Sequence, residues 1–236
     1  MTGDVVYGRR AVREALRGRR EVLELWATER AVKAEPWLAE AKPKLRAERE
    51  LSELVATRDH QGVVARAEPY RYVDAYELAA AERPLLAVLD RVTDPRNLGA
   101  VCRSADGAGA TGVVVPAHGS AVVTPAVARA SAGAVEHLSV AVVTNLARYL
   151  EDVKGADLWV FGAAGDGAQS MWEADLAGGA ALVFGAEGRG LRPLVRRSCD
   201  ALVSIPMLGR VESLNVSVAA AVLLYEARRQ RASAAE

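Results

Sequence analysis

Three side chains at alternate positions, Ser213, Asn215 and Ser217, precede the most apolar helix predicted for this chain, in the stretch VESLNVSVAAAVLLYE at residues 211–226. A helix start needs only one capping side chain, so the remaining groups are available for a ligand. Free backbone N–H groups at a helix start also favour anionic groups. The spacing predicts that Ser217 caps the helix and that Ser213 and Asn215 face a polar site.

A second candidate segment is the glycine-rich loop VFGAEGRGL at residues 183–191, which carries one acid, Glu187. A dinucleotide-binding loop needs G-x-G-x-x-G after the first strand. Here the order is G-x-x-G-x-G after the fifth strand-like run, and GAAGDG at 162–167 matches no better, so that cofactor is not indicated. Each glycine alone is explained by a tight turn with positive φ, and Glu187 alone by a solvated loop acid.

A third segment, DRVTDPRNLGAVCRSADGAGATG at residues 90–112, places Arg103 six residues after Asn97. Pro95 and Asn97 predict a turn and a helix cap, so the simplest role of Asn97 is to cap that helix. Six helical residues span roughly 9 Å. Because helical side chains lean towards the N-terminus, the long Arg103 side chain can reach back towards Asn97.

These segments follow strands of one predicted sheet. Apolar strand-like runs alternate with helix-like segments from Leu85 onwards, which is typical of a mostly parallel sheet covered on both faces. Ligands in such sheets bind at the carboxyl ends of the strands. The six runs are LLAVLD, GVVVP, LSVAVV, DLWVFGAA, ALVFG and ALVSIP.

The first 70 residues predict a separate small α/β unit. VYGRRAVREALRG fits a helix that ends at Gly18, VLELWAT and QGVVARAE fit strands, and residues 34–54 are mostly helical. Residues 69–84 predict a connector with a short helix. We therefore expect a domain over residues 1–70, a linker over 71–84 and a second domain over 85–236.

The stretch RRAVREALRGRR at residues 9–20 concentrates positive charge, with six arginines and the single acid Glu14. One interpretation is a solvated helix face. The other is a stripe that faces phosphates, which requires only a local surplus of cations. Its candidate phosphate-binding residues are Arg9, Arg10, Arg13 and Arg17.

Composition excludes several classes of protein. Lysines plus arginines equal aspartates plus glutamates at 30 each, so the summed charge does not indicate a nucleic-acid binder. Two distant cysteines and the absence of a signal-peptide pattern favour a reducing cytoplasm over a disulfide scaffold. The most apolar run, 216–225, is too short to span a bilayer. The three histidines are scattered without ligand-like spacing, so we expect no metal site.

Taken together, the three segments resemble the signature motifs of the SpoU (TrmH-type) family of RNA ribose 2′-O-methyltransferases. The motifs are Asn97 with Arg103, then FGAEGRGL, then IPM followed by SLNVS, in the family order, and the resemblance covers residues 85–228. VVYGRRAVREAL, HQGVVA and the stretch at 131–146 resemble the subgroup that methylates a guanosine in 23S rRNA. That subgroup has an N-terminal substrate-binding domain that resembles ribosomal protein L30e.

The resemblance implies an α/β, SPOUT-like catalytic domain whose C-terminal segment forms a trefoil knot, an S-adenosylmethionine site against the knot, and a homodimer. A helix that is apolar on every side must be buried on every side, so the helix after Asn215 is expected to lie between the sheet and a second subunit. The implied catalytic residues are Arg103, Asn97, Glu187, Ser213 and Asn215. The implied cofactor-binding residues are Gly185, Ile205, Pro206, Met207 and Leu214.

For the chemistry, a ribose hydroxyl becomes a good nucleophile only as its proton leaves, so a site must stabilise the developing oxyanion. A guanidinium normally stays protonated, and we therefore expect Arg103 to stabilise charge rather than act as a base. Two alternatives stay open. One is a tRNA ribose methyltransferase, and the other is an RNA-binding ribosome-assembly factor without catalysis.

Overall fold

The computed structural model describes residues 3–155 and 157–234. Within these ranges, no helix is both long enough and apolar enough to cross a lipid bilayer. The described residues pack into two compact units. Residues 3–71 and 123–137 form the first unit, and the other described residues form the second unit.

The first unit contains a four-stranded sheet with the strand order β1-β4-β2-β3. Strand β4 is antiparallel to both β1 and β2, and β3 is parallel to β2. Leu51 packs against Trp26 and Val64 in its core. The elements are β1 (Asp4–Tyr7), α1 (Arg9–Ala15), β2 (Val22–Ala27), α2 (Glu29–Ala34), α3 (Pro36–Ala41), β3 (Lys44–Leu45), α4 (Glu48–Val55), β4 (Val63–Ala67), α7 (Pro125–Ala130) and a 3₁₀ turn (Ala134–Glu136).

The start of this unit differs from the prediction. The residues before Gly8 form strand β1 rather than the beginning of a helix, and Gly8, with φ of 94°, separates β1 from α1. Helix α1 also ends at Ala15, before Gly18. Valine and tyrosine suit strands, and β1 pairs with β4 from the far end of the unit. The sequence around β1 gives no sign of this pairing with β4.

The second unit contains a seven-stranded sheet with the strand order β7-β6-β5-β10-β8-β11-β9. Every pair of neighbouring strands is parallel, which confirms the predicted parallel sheet. The elements are α5 (Ala75–Ala79), β5 (Leu85–Asp90), α6 (Pro95–Ala108), β6 (Gly112–Pro116), β7 (Val140–Val143), α8 (Leu146–Val153), β8 (Leu158–Ala163), β9 (Gln169–Ser170), β10 (Gly179–Gly185), α9 (Pro193–Arg197), β11 (Ala201–Ser204) and α10 (Val216–Ser233).

The centre of this sheet is covered on both faces. All residues of β5 are buried. Leu86 and Val88 pack with Tyr149 and Leu150 of α8 in one core. Helices α6 and α10 pack against each other, and α10 also contacts β5 and β10. The helix that carries Arg103 and the helix that follows Asn215 are therefore held together.

Helix α10 is buried along one face and exposed along another. Ala220, Leu223 and Leu224 are buried, whereas Val218 is 46% exposed and Tyr225 is 52% exposed. A single chain therefore leaves an apolar face of this helix in contact with solvent.

Residues 123–137 pack within the first unit, although along the chain they connect β6 and β7 of the second. A buried ion pair holds them. Arg20 Nη2 donates to Glu136 Oε1 at 2.6 Å, with 8% and 0% of the two side chains exposed. Arg20 Nη1 donates to Asp4 Oδ2 at 3.1 Å. Two carboxylates thus compensate the buried guanidinium.

Candidate active site

Four parallel strands, β5, β8, β10 and β11, end at one edge of the sheet, and the loops that follow them form the candidate site. Gly185 at the end of β10 pairs with Asp90 at the end of β5. Arg192 donates its backbone N–H to Asp90 Oδ2 at 2.8 Å and its Nε–H to Oδ1 at 2.6 Å. This contact holds the glycine-rich loop against β5.

Three of the predicted site residues, Asn97, Glu187 and Asn215, form one hydrogen-bonded group, which we call the amide–carboxylate cluster. Asn97 Nδ2 donates to Glu187 Oε1 at 3.0 Å. Asn215 Nδ2 donates to the same oxygen at 2.5 Å and to Asn97 Oδ1 at 3.1 Å. The cluster connects the first turn of α6, the glycine-rich loop and the start of α10.

The caps of both helices differ from the prediction. Asp94 caps α6, because its Oδ1 accepts from the backbone N–H of Arg96 at 2.8 Å. Asn215 caps α10, because its Oδ1 accepts from Ser217 N at 2.9 Å and from Ser217 Oγ at 2.6 Å. Asn97 is thus free of a capping role, and Asn215 serves the helix with its oxygen and the cluster with its nitrogen.

The glycines of the loop have two different roles. Gly188 and Gly190 have φ of 71° and 62°, so they occupy the turn conformation that glycine favours. Gly185 is needed for close approach, because backbone atoms of Gly190 fill the space where a side chain at 185 would begin. The loop folds back tightly, with Gly190 N donating to Ala186 O at 2.9 Å.

A cleft of about 690 Å³, the first cleft, lies at the ends of β8, β10 and β11. No cationic side chain is among the described residues that line it, whereas the acids Glu187 and Glu212 are. It therefore suits a ligand with a positive charge. Its lining includes the predicted residues Gly185, Ile205, Met207, Leu214, Ser213 and Asn215, but not Pro206, which is exposed.

Sequence reasoning missed part of this cleft. Ala163, Ala164 and Gly165 line it directly after β8. They belong to the stretch GAAGDG, whose only predicted role was that of a poorly matching dinucleotide motif. The rule that ligands bind where parallel strands end applies to this strand too, and it would have found these residues.

A second cleft, of about 610 Å³, adjoins the first. Asn215 lines the first cleft, Asn97 lines the second, and Glu187 lines both, so the amide–carboxylate cluster stands at their boundary. Asp94 lines the second cleft, and the hydrogen bond from the Arg96 side chain lowers the pKa of the Asp94 carboxyl. Asp94 is therefore ionised at neutral pH.

Arg103 is not part of the cluster within one chain. It is exposed on α6 and is absent from the described residues that line the two clefts. Its guanidinium has no hydrogen-bond or ion-pair partner among the described residues. Its guanidinium is thus free to reach beyond its own chain.

Matches to two family models identify this architecture. Residues 84–225 match the SpoU rRNA Methylase family. Residues 5–73 match the model described as RNA 2′-O ribose methyltransferase substrate binding. The chain belongs to the SpoU rRNA methylase family. The predicted family is confirmed, and with it the predicted class of enzyme, an RNA ribose 2′-O-methyltransferase.

Relatives of the family match along nearly the whole chain. The 23S rRNA (guanosine-2′-O-)-methyltransferase RlmB of Pseudomonas putida is 44% identical over 240 residues, which are 96% of each chain. That of Shewanella oneidensis is 40% identical over 242 residues, which are 98% of each chain. The crystal structure of the SpoU methyltransferase AviRb from Streptomyces viridochromogenes, in complex with the cofactor AdoMet, matches with a TM-score of 0.81 at 30% identity and covers 97% of this chain and 90% of that chain.

Proposed function

We propose that this protein transfers a methyl group from S-adenosylmethionine to the ribose 2′-oxygen of a guanosine in 23S rRNA. The observation that carries the proposal is the amide–carboxylate cluster at the boundary between two clefts, the first without cationic lining and the second lined by three arginines. Such a boundary suits a reaction between a cationic donor and an anionic acceptor. The choice of guanosine and of 23S rRNA rests on the two RlmB relatives.

The first cleft fits S-adenosylmethionine. Its volume lies within the range of roughly 300–1,000 Å³ that is usual for small-molecule sites. Ile205 and Leu214 provide apolar walls, and the backbone of the glycine-rich loop offers hydrogen-bonding groups. The carboxylates of Glu187 and Glu212 provide the negative charge that a cationic ligand requires. When bound, S-adenosylmethionine supplies a methyl group activated by a sulfonium.

The residues of the chain then align and polarise the hydroxyl that accepts the methyl group. Glu187 holds the amides of Asn97 and Asn215 in fixed orientations, so the cluster positions the ribose or its phosphate. Arg103 stabilises the charge that develops on the 2′-oxygen. Because a guanidinium stays protonated, the hydroxyl proton passes to water, and Ser213 completes the hydrogen bonding around the site.

We propose that the active unit is a homodimer. Tyr225 on the exposed face of α10 lies over Gly107 of α6, its hydroxyl 2.8 Å from the position of a side chain at 107. The apolar face of α10 is therefore continuous with the helix that carries Arg103. A second copy covering this face would shield Val218 and Tyr225 and bring Arg103 to a complete site.

The trefoil knot is likewise a proposal, made from the family resemblance. Strand β11 lies beyond β8 in the sheet, whereas α10 contacts β10 and β5. The segment 205–215 must therefore cross back over the ends of those strands, as a knotted C-terminus requires. We also propose that residues 1–70 are an L30e-like RNA-binding domain, 71–84 a linker and 85–236 the catalytic domain, whose residues 123–137 fold with the first unit. We propose as well that the protein acts in the cytoplasm.

Methyl transfer to purified RNA tests the function. Protein, methyl-labelled S-adenosylmethionine and rRNA from cells that lack the protein should place label in 23S rRNA, and mapping of methylated riboses should locate one guanosine. Label in tRNA but not in rRNA would favour the tRNA alternative. Tight binding of rRNA without label would favour a non-catalytic assembly factor. The two RlmB relatives, which match nearly the whole chain, support rRNA as the first choice.

A further inference from the structure

The second cleft carries a surplus of positive charge once its ion pairs are considered. Arg91, Arg189 and Arg192 line it. Arg192 is compensated by Asp90, with 2.6 Å between Nε and Oδ1. Neither acid that lines the cleft forms an ion pair with Arg91 or Arg189 in the described part of the chain, and the cleft keeps an excess of one positive charge when Glu187 is counted. Asp94 pairs with Arg96 at 2.9 Å, and Glu187 accepts hydrogen bonds from both amides of the cluster.

Arg91 and Arg189 are both exposed, and neither guanidinium has a hydrogen-bond or ion-pair partner among the described residues. Arg91 is also held in place by its backbone. It adopts φ of 59°, and its Nε lies 3.6 Å from the position that a side chain at Gly119 would take. The Arg91 side chain therefore lies across the bare backbone of Gly119, at the wall of the cleft.

We propose that Arg91 and Arg189 bind a phosphodiester of the RNA next to the nucleotide that is methylated. The inference rests on the proposed function and assigns to the second cleft the backbone of that same substrate. Guanidinium groups match the oxygens of a phosphate in charge and in geometry. The first cleft has no cation in its described lining, and the shared wall contains Glu187 of the amide–carboxylate cluster. A phosphate held here would place the adjacent ribose at that cluster.

The test uses three variants and one control in the full-length protein. Arg91→Asn removes the charge and keeps a residue that tolerates positive φ. Arg189→Gln removes the other charge, and the double variant removes both. Arg197→Gln is the matched control, because Arg197 is an exposed arginine on α9 that lines neither cleft.

Binding of an unmethylated 23S rRNA transcript is measured by filter retention over a series of salt concentrations. Each single-stranded phosphate contact contributes about 0.7 to the slope of log affinity against log salt. Because the two arginines bind the same phosphate, the double variant should lose about 0.7 from the slope and bind about 5-fold more weakly at about 0.1 M salt. Its affinity for S-adenosylmethionine by calorimetry should stay near the wild-type value. Its single-turnover methylation rate at saturating RNA should fall, because the ribose is no longer held at the cluster.

Three results would overturn the proposal. The first is a wild-type salt slope in the double variant, and the second is an equal effect of Arg197→Gln, which would indicate bulk charge. The third is a parallel loss of S-adenosylmethionine affinity, which would make the arginines structural. Failure of the proposed function gives a different result. If the wild-type protein transfers no methyl group but the salt slope still depends on Arg91 and Arg189, the proposed reaction is wrong and the phosphate site stands.

Discussion

Asn215 shows at the scale of one residue how a side chain can serve a helix and a site together. Its oxygen caps α10, and its nitrogen donates to Glu187 and Asn97. Because the two roles use different atoms, substitutions can separate them. The dual role also explains why α10 starts with more polar groups than a cap needs.

Two substitutions at this position should differ in stability but agree in activity. Asn215→Asp keeps a good capping oxygen but replaces the donor with a carboxylate that faces Glu187. Asn215→Ala loses both roles and should lower the free energy of unfolding by about 1 kcal/mol, the usual cost of a lost cap. Methylation should fall at least about tenfold in both, as expected when a positioning donor is lost. Urea unfolding measures the change in stability, and single-turnover methylation measures the change in activity. Full activity of Asn215→Asp would show that the Asn215 side-chain nitrogen has no role in the reaction.

Arg103 differs from the cluster because it has no partner among the described residues, which leaves its charge available to the substrate. Arg103→Ala should lower the rate on the order of 10² to 10³, as for loss of one oxyanion-stabilising donor. Arg103→Lys keeps the charge but loses the planar fork, so it should stay badly impaired. Affinity for S-adenosylmethionine should be unchanged in both.

Calorimetry and single-turnover methylation separate the outcomes for Arg103. Loss of cofactor affinity in proportion to rate would make Arg103 a structural residue. A wild-type rate for Arg103→Lys would place the chemistry elsewhere, with Glu187 and Asn215 as the next candidates.

At the scale of elements, the two faces of α10 predict opposite consequences for the same kind of substitution. Leu224 is 0% exposed, so Leu224→Glu buries an unpaired charge and should abolish folding. Val218 is 46% exposed, so Val218→Glu should leave a folded chain that no longer dimerises. Circular dichroism measures folding and sedimentation velocity measures assembly. A Val218→Glu protein that still sediments as a dimer would place the interface on another surface.

Helix α1 presents only part of its arginine run to solvent. Arg10 and Arg13 are exposed. Arg17, just after the helix, is 56% exposed and lies 3.7 Å from Glu14, whereas Arg9 pairs with Glu35 at 3.1 Å. From the sequence, these four arginines are equivalent candidates for phosphate binding. Arg9 differs from the other three because of a tertiary contact, which the sequence does not reveal.

Neutralising the exposed members of the predicted phosphate-binding set tests their role in RNA binding. Replacing Arg10, Arg13 and Arg17 together with glutamine should weaken RNA binding and lower its salt slope by up to about 2, at about 0.7 for each phosphate. Affinity for S-adenosylmethionine should not change. Arg58→Gln, an exposed arginine elsewhere in the first unit, is the control. An unchanged salt slope in the triple variant would show that these arginines form an ordinary solvated surface and do not bind RNA phosphates.

At the scale of the whole molecule, residues 123–137 fold with the first unit although they interrupt the sequence of the second. Removing the N-terminal 70 residues would leave Glu136 without Arg20. Such a truncation therefore cannot test the role of the first unit cleanly, and point substitutions are the better approach.

The buried ion pair predicts a specific cost. Glu136→Gln removes the charge that compensates Arg20 and should lower the free energy of unfolding by about 3 kcal/mol. Glu53→Gln breaks the exposed pair between Glu53 and Arg49, at 2.9 Å, and should leave stability near the wild-type value. Urea unfolding measures both, and hydrogen exchange should rise across 123–137 in Glu136→Gln alone. Equal stability of the two variants would show that the buried pair does not hold this segment.

Much of the second unit was predictable because its signals are local. Each apolar run from LLAVLD to ALVSIP became a strand, since continuous apolar runs between helices suit a buried parallel sheet. Gly188 and Gly190 take positive φ as their loop predicts. The short strand β9 was missed, because two residues carry too little pattern. The predicted cap of α6 was wrong because Asp94 and Asn97 are both good capping residues, and only the backbone conformation decides which of them caps the helix.

By itself, the sequence determined the parallel sheet and the three motifs whose resemblance indicates the family, because each apolar run and each motif is a short stretch of chain. Tertiary structure alone decided which motif residues meet. Asn97, Glu187 and Asn215 join because parallel strands end at one edge of the sheet, whereas Arg103 stays outside because it lies farther along an exposed face of α6. Only the folded chain distinguishes the paired Arg192 from Arg91 and Arg189, since charge compensation depends on partners that are distant in sequence.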